Sequence, residues 1–507
     1  MSSQTGSRFR RWLLPTELPE LPLSAGRDAL FVRLAGLVYV FAFASLWPQI
    51  PGLFGENGVL PTQIMLEHVA KDFGSRKYWL LPTLFWQRCT ESALMSVCGM
   101  GLCAGIAVFF LRMVWPALAV AWVCHLSFLV IGGPFLSFQW DLLLSEMGLL
   151  LLLAVPITYK VPQPLVLVPV GRWLLLWLLF RVVWSSGYLK LAALDPTWHN
   201  LTALHYHFET QPLPTVVGYY AHALPGSIKK GLAAYTLFTE AVLPFALFLP
   251  RWRFLFVGPL VLLQVGIALT GNQATHNLLV LLLVILLLPA TTFSFLRPRP
   301  SNDVDQPSRH TRRTCWVYAL PRAAFALVLF VASLGHFSWT LRSHRDVPTP
   351  VRWAMQATAP FFAVSHYGAF ASMTTNRPEL VIEGSQDGVS FREYHFPFKP
   401  GQVTKRPRWS APYQPRLDWQ MWFAALGRPT DSPWLHILLL RLLEGSHDVL
   451  WLFDGDPFLG QRPRYLRVQL YPYRFSTIAE KRATGAYFVR QAPLPFISPV
   501  GLTVEKP

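Results

Sequence analysis

The sequence predicts a polytopic α-helical membrane protein with about nine spans, followed by a C-terminal, mostly β extracytoplasmic domain. Three observations predict this fold class. Hydrophobic residues make up 52% of the chain and charged residues only 14%, whereas a soluble domain has roughly 25% charged residues. Apolar runs of about 20 residues recur along the first two thirds. After about residue 345, alternating patterns and turn signals replace them.

Nine apolar segments approach the length that a spanning helix requires, about 20 residues. Their predicted limits are 28–48, 92–112, 114–133, 140–158, 172–190, 232–250, 253–271, 274–290 and 316–337. The eighth segment is short, and the ninth contains Pro321 and Arg322 near its start.

Basic residues favour one orientation of these spans. If the N-terminus is cytoplasmic, the even-numbered connections are cytoplasmic as well, and these connections are basic. They contain Arg112, Lys160, Arg172, Arg251, Arg253 and the arginines of 297–313. The short outer connections 132–139 and 271–275 contain no Lys or Arg, although the long first outer loop contains both basic and acidic residues. The positive-inside rule therefore predicts that 199–225 and everything after about residue 340 lie on the outer side.

These patterns divide the chain into five parts. We predict a cytoplasmic N-terminal segment (1–27), a multi-span membrane domain (28–296), a cytoplasmic linker (297–315), a last transmembrane helix (316–341) and a lumenal or periplasmic, mostly β domain (342–507). The linker is rich in proline and arginine, which is typical of a flexible connection.

The formal net charge of +17 does not indicate a nucleic-acid partner, because the basic residues mostly flank apolar segments. The five cysteines form no Cys-x-x-Cys pair, and none follows Cys315. No zinc or redox motif can be argued from them, and no internal disulfide can staple the C-terminal third. We expect neither a metal nor another cofactor.

The outer domain contains strand, turn and helix signals. Residues 380–383 lead through 384–388 into 389–391, and the Asp-Gly pair between the apolar runs predicts a β-hairpin. Residues 465–471 alternate between apolar and polar, which predicts another strand. Segment 432–445 begins with Ser-Pro and ends with Gly, so it predicts a helix of about 12 residues, too short to span a bilayer.

Charged side chains inside the predicted spans are energetically costly unless they face a protein interior or a water-filled cavity. They are Arg33, Asp141, Glu146, Arg181, Lys190 and Glu240. Asp141 lies at the outer end of its span, where water could reach it. Glu146 lies deeper and needs a partner, either Arg181 or Arg33. We favour a buried ion pair that fixes helix packing, with a substrate or proton site as the alternative.

The stretch 199–225 is polar, aromatic and rich in histidine, and it interrupts the apolar pattern. With the polar turn at 271–277 it could form one mouth on the outer side. The candidate catalytic residues are His205, His207, Glu209, Lys190 and Glu240. The candidates for an outer surface that contacts a client or supports the structure are His222, Asn272, His276, Asn277, Asp418, Trp419, Trp422 and Phe423. The aromatic residues among them are either exposed client contacts or parts of a packed amphipathic helix.

Two further patterns in this stretch are weak. On a strand, His205, His207 and Glu209 would share one face, and a metal site is then conceivable. The spacing is common by chance and no second motif supports it, so we predict no metal site. Asn200 starts an Asn-Leu-Thr glycosylation pattern, which is meaningful only in a secretory compartment.

Several longer stretches in one consistent order resemble the lipase maturation factor family. They are 138–148 (FQWDLLLSEMG), 205–214 (HYHFETQPLP), 270–279 (TGNQATHNLL), 367–388 (YGAFASMTTNRPELVIEGSQDG), 411–427 (APYQPRLDWQMWFAALG), 434–458 (WLHILLLRLLEGSHDVLWLFDGDPF) and 463–476 (PRYLRVQLYPYRFS). The resemblance extends from about residue 30 to residue 476.

The resemblance implies a chaperone-like membrane protein that assists folding and assembly of secreted lipases, particularly homodimeric ones, on the outer or lumenal side. It implies membrane lipid and a lipase client as partners. It also implies the endoplasmic reticulum membrane in a eukaryote, and a bacterial chain of this kind would lie in the inner membrane.

Two other functions compete with this one. The family's membrane half is similar to a wider group that includes the vitamin K-dependent carboxylase, so a membrane enzyme that uses the outer His/Glu loop is the alternative. We nevertheless expect a protein that is not an enzyme. A transporter would call for inverted repeats and broken helices, and no convincing repeat is evident in the sequence.

Overall fold

The computed structural model describes residues 24–157, 164–273, 275–296, 309–341 and 347–502. Most of the predicted N-terminal segment, Lys160 and most of the predicted linker lie outside the described residues. The helices of the first two thirds are α1 (Ala25–Leu46), α2 (Ile50–Phe54), α3 (Thr62–Phe73), α4 (Lys77–Leu80), α5 (Glu91–Phe109), α6 (Val114–Ile131), α7 (Gln139–Ala154), α8 (Pro169–Ala192), α9 (Pro196–His199), α10 (Ala203–Thr210), α11 (Val216–His222), α12 (Gly226–Leu237), α13 (Arg253–Thr270), α14 (His276–Ile285) and α15 (Arg309–Leu341).

The prediction of a polytopic helical membrane protein is confirmed. Among the described residues, seven helical stretches are long and apolar enough to cross a membrane. They are Ala25–Phe54, Glu91–Phe109, Val114–Ile131, Pro169–Ala192, Gly226–Phe248, Arg253–Thr270 and Ala319–Leu341. The other two predicted spans are shorter helices, α7 with 16 residues and α14 with 10. The last helix begins at Arg309, inside the segment predicted as a flexible linker.

Small residues allow the membrane helices to pack closely. A side chain on Gly36 of α1 would place its Cβ 2.6 Å from the backbone nitrogen of Phe109 and 2.8 Å from the carbonyl oxygen of Gly105, both on α5. Backbones in direct contact at small residues are typical of helix pairs in lipid, where the hydrophobic effect does not drive association.

The C-terminal part combines one antiparallel sheet with short helices. The strands are β1 (Arg377–Ser385), β2 (Phe391–Tyr394), β3 (Tyr465–Phe475), β4 (Phe488–Arg490) and β5 (Leu494–Val500), and the helices are α16 (Thr349–Thr358), α17 (Arg416–Leu426), α18 (Pro433–Glu444), α19 (His447–Leu450) and α20 (Ile478–Thr484). The strand order is β2-β1-β3-β4, and β5 also pairs with β3. The predicted extracytoplasmic domain therefore contains the expected sheet.

The predicted elements of this domain are confirmed. In the β1–β2 hairpin, Ser385 pairs with Phe391. The Asp387 carboxylate accepts hydrogen bonds from the backbone amides of Val389 and Ser390, both at 2.8 Å, while Gly388 adopts a left-handed φ of +78°. These contacts close the turn that the Asp-Gly pair predicts.

The C-terminal domain, which we call the outer domain after its predicted side of the membrane, packs directly on the membrane helices. One continuous cluster of buried apolar side chains includes residues from both parts. At its edge, the rings of Phe135 and Trp434 meet edge to face with centroids 5.3 Å apart. A side chain on Gly52 of α2 would place its Cβ 2.4 Å from the carbonyl oxygen of Asp448 on α19. The first outer loop thus contributes to the contact with the C-terminal domain.

Candidate functional site

The histidine-rich stretch 199–225 lies between the membrane helices and the outer domain. It contains α10 and α11, so the premise of a strand with His205, His207 and Glu209 on one face is wrong. Two residues apart on a helix means about 200° of rotation. His205 contacts the carbonyl oxygen of Thr202 through Nδ1 at 3.2 Å, on a different side from His207. Within the described residues, no three metal-ligating side chains are grouped.

A cavity of about 500 Å³ lies beneath this stretch. Lys190 of α8 and Glu240 form an ion pair in its wall, with Nζ and Oε2 2.6 Å apart. Both side chains are buried, with 5% and 9% of their surface exposed. The Lys190 ammonium also donates to the carbonyl oxygen of Ser186 at 3.3 Å. Three catalytic candidates, Lys190, Glu240 and His207, thus line one cavity, while His205 and Glu209 do not.

The backbone around Glu240 is unusual. After α12 the helix widens into a π-helical turn at Phe238–Val242 and then tightens into a 3₁₀ segment at Leu243–Phe248. A side chain on Gly187 would place its Cβ 2.5 Å from the carbonyl carbon of Glu240. Gly187 therefore permits the contact that brings Glu240 to Lys190. Single π-helical turns occur frequently at functional sites.

Polar groups without charge complete this end of the cavity. The half-buried ring of His207 lies edge to face against Phe370, with centroids 4.7 Å apart. Burial, and secondarily the charge of Lys190, lowers the pKa of His207 to about 4, so this imidazole is neutral at pH 7. The buried Nδ1 of His276 has no hydrogen-bond partner within the described part of the chain. Asn277 donates to the Gln264 side chain at 2.8 Å and so orients it at the wall.

The rest of the cavity wall is mainly apolar. Its apolar residues include Val182, Val183, Trp198, Leu204, Phe208, Leu232, Leu262, Leu263, Ile267, Val280 and Phe370. Leu232 of α12 is 38% exposed and Leu262 of α13 is 65% exposed, so the rim between these two helices faces outward. The cavity therefore has an apolar side between α12 and α13 that faces the outside of the helix bundle.

The upper face of the stretch binds the outer domain. Arg377 of β1 donates to the carbonyl oxygens of Glu209, of Gln211 at 2.6 Å and of Pro212 at 3.0 Å. The Glu209 carboxylate accepts a hydrogen bond from the backbone amide of Phe475 at 3.1 Å. These contacts assign Glu209 to the domain junction and not to the cavity.

His222 lies next to Glu209 at this junction, with Nε2 3.3 Å from the Glu209 carboxylate. Burial, with the charge of Lys229 and then His205, lowers the pKa of His222 to about 4. Burial also raises the pKa of Glu209. The imidazole is therefore neutral at pH 7, and the contact between the two residues is not an ion pair there.

Asn272 connects the polar turn of the membrane domain to the outer domain. Its Nδ2 donates to the carbonyl oxygens of Leu213 at 3.1 Å and Arg408 at 2.9 Å, and its Oδ1 accepts from the amide of Ser410 at 2.8 Å. The side chain is 2% exposed. Asn272 is thus a structural residue of the junction and not an accessible client contact.

The position of Asp141 at the end of α7 suggested that it faces water, but the structure shows that it is buried. Arg416 of α17 covers it with two hydrogen bonds of 2.8 Å, and both side chains are 1% exposed. The Gln414 side chain joins them by accepting from Arg416 at 2.8 Å and from Trp140 at 3.1 Å. The outer domain therefore supplies a buried counter-ion to the membrane domain.

Two partners were predicted for Glu146, Arg181 or Arg33, and the structure pairs it with Arg181. Arg181 of α8 forms a buried ion pair with Glu146, while Arg33 instead lies 3.5 Å from the carbonyl oxygen of Phe109. Two groups that the sequence did not indicate also bind Glu146, the hydroxyl of Tyr367 at 2.7 Å and the amide of Ser365 at 3.0 Å. Both precede β1, so this site also joins the two domains.

Of the two alternatives for the aromatic residues of α17, the structure favours the packed amphipathic helix for Trp419 and Trp422. Trp419 and Trp422 are buried, the first against Trp140 at 4.8 Å and the second through a hydrogen bond to the carbonyl oxygen of Thr210 at 2.8 Å. Asp418 is buried too and accepts from the amides of Phe398 and Lys399, both at 2.8 Å. Among these candidates only Phe423 is exposed, at 46%.

Sequence reasoning missed Arg377, Arg416 and Tyr367, which make buried contacts between the domains. The signal was present but indirect. Arg416 begins an amphipathic helix, and Asp141 is a charged residue at the end of an apolar segment. Asp28 was also missed. It is fully buried at the other end of the membrane domain and is paired with Arg27 and Arg172.

Comparisons with known proteins agree with this architecture. Two family models match, the lipase maturation factor transmembrane domain at residues 27–295 and the lipase maturation factor C-terminal domain at residues 363–497. Lipase maturation factor 2 of Gallus gallus is 34% identical, over 90% of this chain and 79% of its own. Lipase maturation factor 2 of Homo sapiens is 32% identical, over 93% and 82%. Lipase maturation factor 1 of Bos taurus is 30% identical, over 95% and 93%.

No solved structure gives a significant match. The resemblance that the sequence motifs indicate is confirmed by both family models and by these relatives. Their alignments extend across the membrane helices and the outer sheet alike. This chain is an integral membrane protein that belongs to the lipase maturation factor family.

Proposed function

We propose that this chain is a membrane-embedded maturation factor that assists the folding and assembly of secreted lipases on the outer side of its membrane. The observation that carries the proposal is the continuous similarity, through both domains, to relatives named lipase maturation factor. The matched families and relatives give no support to the carboxylase-like alternative.

The architecture supports this role because buried contacts fix the outer domain to the membrane domain, so that its exposed surface has a defined position. Buried hydrogen bonds of charged side chains join the outer domain to the membrane domain at Arg416, Arg377 and Glu146, and the contact of Arg416 with Asp141 is an ion pair. Several large apolar side chains of the outer domain remain exposed, and such groups suit binding of an incompletely folded protein. They are Trp353, Val389, Trp409, Phe423, Leu426, Trp451 and Leu459.

We place the outer domain in the lumen of the endoplasmic reticulum for a eukaryotic chain and in the periplasm for a bacterial one. The distribution of basic residues supports this orientation. Arg112, Arg172 and Arg253 all lie at ends of spanning helices that face away from the outer domain.

The proposal is tested by deleting the gene and measuring secreted lipase activity relative to secreted lipase protein. We expect the specific activity of a homodimeric lipase of the same organism to fall and to return with the intact gene. Unchanged specific activity would overturn the proposal.

Phe423 is the client contact that we propose among the candidates of α17, because it is exposed beside the buried Trp419 and Trp422. A Phe423→Glu variant should lower lipase specific activity while its own abundance stays normal. Leu440→Glu is the matched control, since Leu440 is exposed to a similar degree, 41%, on the neighbouring helix α18. Equal effects of the two substitutions would remove Phe423 from the client surface.

A further inference from the structure

The cavity beneath 199–225 has a polar end and an apolar end. Lys190 lies near the end of α8 that adjoins this stretch, and Val183 lies two turns deeper, about 10 Å along the helix axis at 1.5 Å per residue. In the same way, Thr270 lies at the end of α13 and Leu263 about 10 Å deeper. The Lys190–Glu240 pair and Thr270 therefore lie at the end near the outer domain. Apart from Gln264, whose side chain is hydrogen-bonded to Asn277, mainly apolar walls extend toward the middle of the membrane domain.

The polar end carries no net charge. Lys190 and Glu240 are the charged side chains among the described residues that line the cavity, and they neutralise each other at 2.6 Å. The imidazole of His207 is neutral because burial lowers its pKa to about 4. Hydrogen-bonding groups remain at this end in the side chains of Gln273, Thr270 and His276. A ligand with a charged head would need to disrupt the Lys190–Glu240 pair, whereas a hydroxyl-bearing head would not.

The apolar side opens between α12 and α13. Leu232 and Leu262 at the rim are exposed, and Tyr235 lines the opening while its hydroxyl donates to the carbonyl oxygen of Pro259 at 2.6 Å. A side chain on Gly266 would meet no atom within 4 Å, so the wall is open at this position. A ligand would thus enter from the bilayer and not from water. The volume lies within the range of roughly 300–1,000 Å³ that is usual for small-molecule sites.

We propose that this cavity binds a neutral, hydroxyl-bearing, single-chain lipid taken from the bilayer, such as a monoacylglycerol. Its head contacts the polar end at Lys190, Glu240 and His276, and its hydrocarbon chain lies along Val183, Leu263 and the wall of α13. This lipid-binding function is distinct from lipase maturation, and it can be tested without a lipase.

The test uses the full chain in phosphatidylcholine nanodiscs and a photoactivatable probe. The probe is a monoacylglycerol that carries a diazirine and an alkyne in its acyl chain. We expect cross-links in α8 and α13 that excess unlabelled monoacylglycerol prevents. A fatty acid and a quaternary amine with the same photoreactive chain should label these helices about 10-fold less, which corresponds to about 1.4 kcal/mol.

Two glycines of α13 provide a matched pair of variants. Neither Gly258 nor Gly266 would place a Cβ within 4 Å of another atom, but only Gly266 lines the cavity. Gly266→Phe should lower labelling by about 10-fold, and Gly258→Phe should leave it unchanged. Gly266→Leu serves as a smaller blocking substitution if the yield of Gly266→Phe is poor. Equal labelling of both variants would show that the probe contacts only the lipid-facing surface of the helices, and the proposed binding site would be wrong. Stronger labelling by the fatty acid would show that the site does not prefer a neutral head group.

Discussion

At the residue scale, the structure depends on charges that are buried in pairs contributed by different parts of the chain. Asp141 and Arg416 are 275 residues apart in sequence, and each is 1% exposed. A buried ion pair adds little net stability, but removal of one partner leaves the other charge without compensation. The identity of each partner could not be predicted from sequence, because periodicity places a charge on a helix face and gives no information about distant segments.

The Asp141–Arg416 pair gives a first prediction. Arg416→Met should destabilise the protein by about 3–5 kcal/mol, because it leaves the Asp141 carboxylate buried and uncompensated. Asp141→Leu combined with Arg416→Met should recover much of that loss. The measurement is the thermal unfolding of the purified chain in detergent. Arg428→Met is the control, since the Arg428–Asp431 pair is exposed and should not affect unfolding measurably. A double variant no more stable than Arg416→Met would contradict the pairing.

A second prediction concerns pH. Burial raises the pKa of Asp418 to about 6, against the hydrogen bonds that its carboxylate accepts from backbone amides. The folded state therefore binds a proton more tightly than the unfolded state, whose aspartate titrates near 4. The contribution of Asp418 to the free energy of unfolding should accordingly fall by roughly 3 kcal/mol as pH rises from about 4 to about 6.

The measurement compares the pH dependence of unfolding for the wild type and Asp418→Asn. Because Asn does not titrate, the variant should gain stability relative to the wild type across that pH interval. A difference that stays constant between pH 4 and pH 7 would show that Asp418 keeps its ordinary pKa.

At the element scale, local signals predicted some parts of the structure well and others poorly. The Ser-Pro start and Gly end of α18 and the Asp-Gly turn between β1 and β2 specify local backbone geometry, so both elements were predictable. The alternation of His205, His207 and Glu209 had no such terminators, and the segment forms the helix α10 because its apolar Leu204 and Phe208 pack four residues apart. The π-helical turn at Phe238–Val242 left no sequence signal beyond Pro244.

The contact between α8 and this π-helical turn gives the third prediction. Gly187→Leu should separate the two elements, because its Cβ alone would lie 2.5 Å from the Glu240 carbonyl carbon. We expect a loss of about 1–3 kcal/mol in stability from overpacking and weaker labelling by the lipid probe. Gly231→Leu on α12 is the control, since no atom lies within 4 Å of its Cβ position. A Gly187→Leu variant as stable as this control would contradict the close contact.

At the scale of the whole molecule, the two domains share one apolar core and several buried polar contacts. The sequence predicted both parts and their order, because composition changes sharply near residue 345. It did not predict their close association, because the residues that join the two parts are of types that commonly occur in such segments and so give no signal of a distant partner. Arg377 begins a strand and Asn272 lies in a turn, and only the fold brings each to its partner. The outer domain is therefore expected to be stable only together with the membrane helices.

The fourth prediction concerns orientation in the membrane. Val389 lies at the tip of the β1–β2 hairpin and is 82% exposed, and Arg251 lies in the basic connection before α13. The positive-inside rule places Arg251 in the cytoplasm, and the fold places Val389 on the opposite side of the membrane domain. In sealed microsomes from a eukaryotic host, a membrane-impermeant maleimide should label Arg251→Cys directly and Val389→Cys only after detergent is added. The background chain has its five native cysteines replaced by alanine. Direct labelling of Val389→Cys in sealed vesicles would reverse the orientation and would exclude a lumenal lipase client.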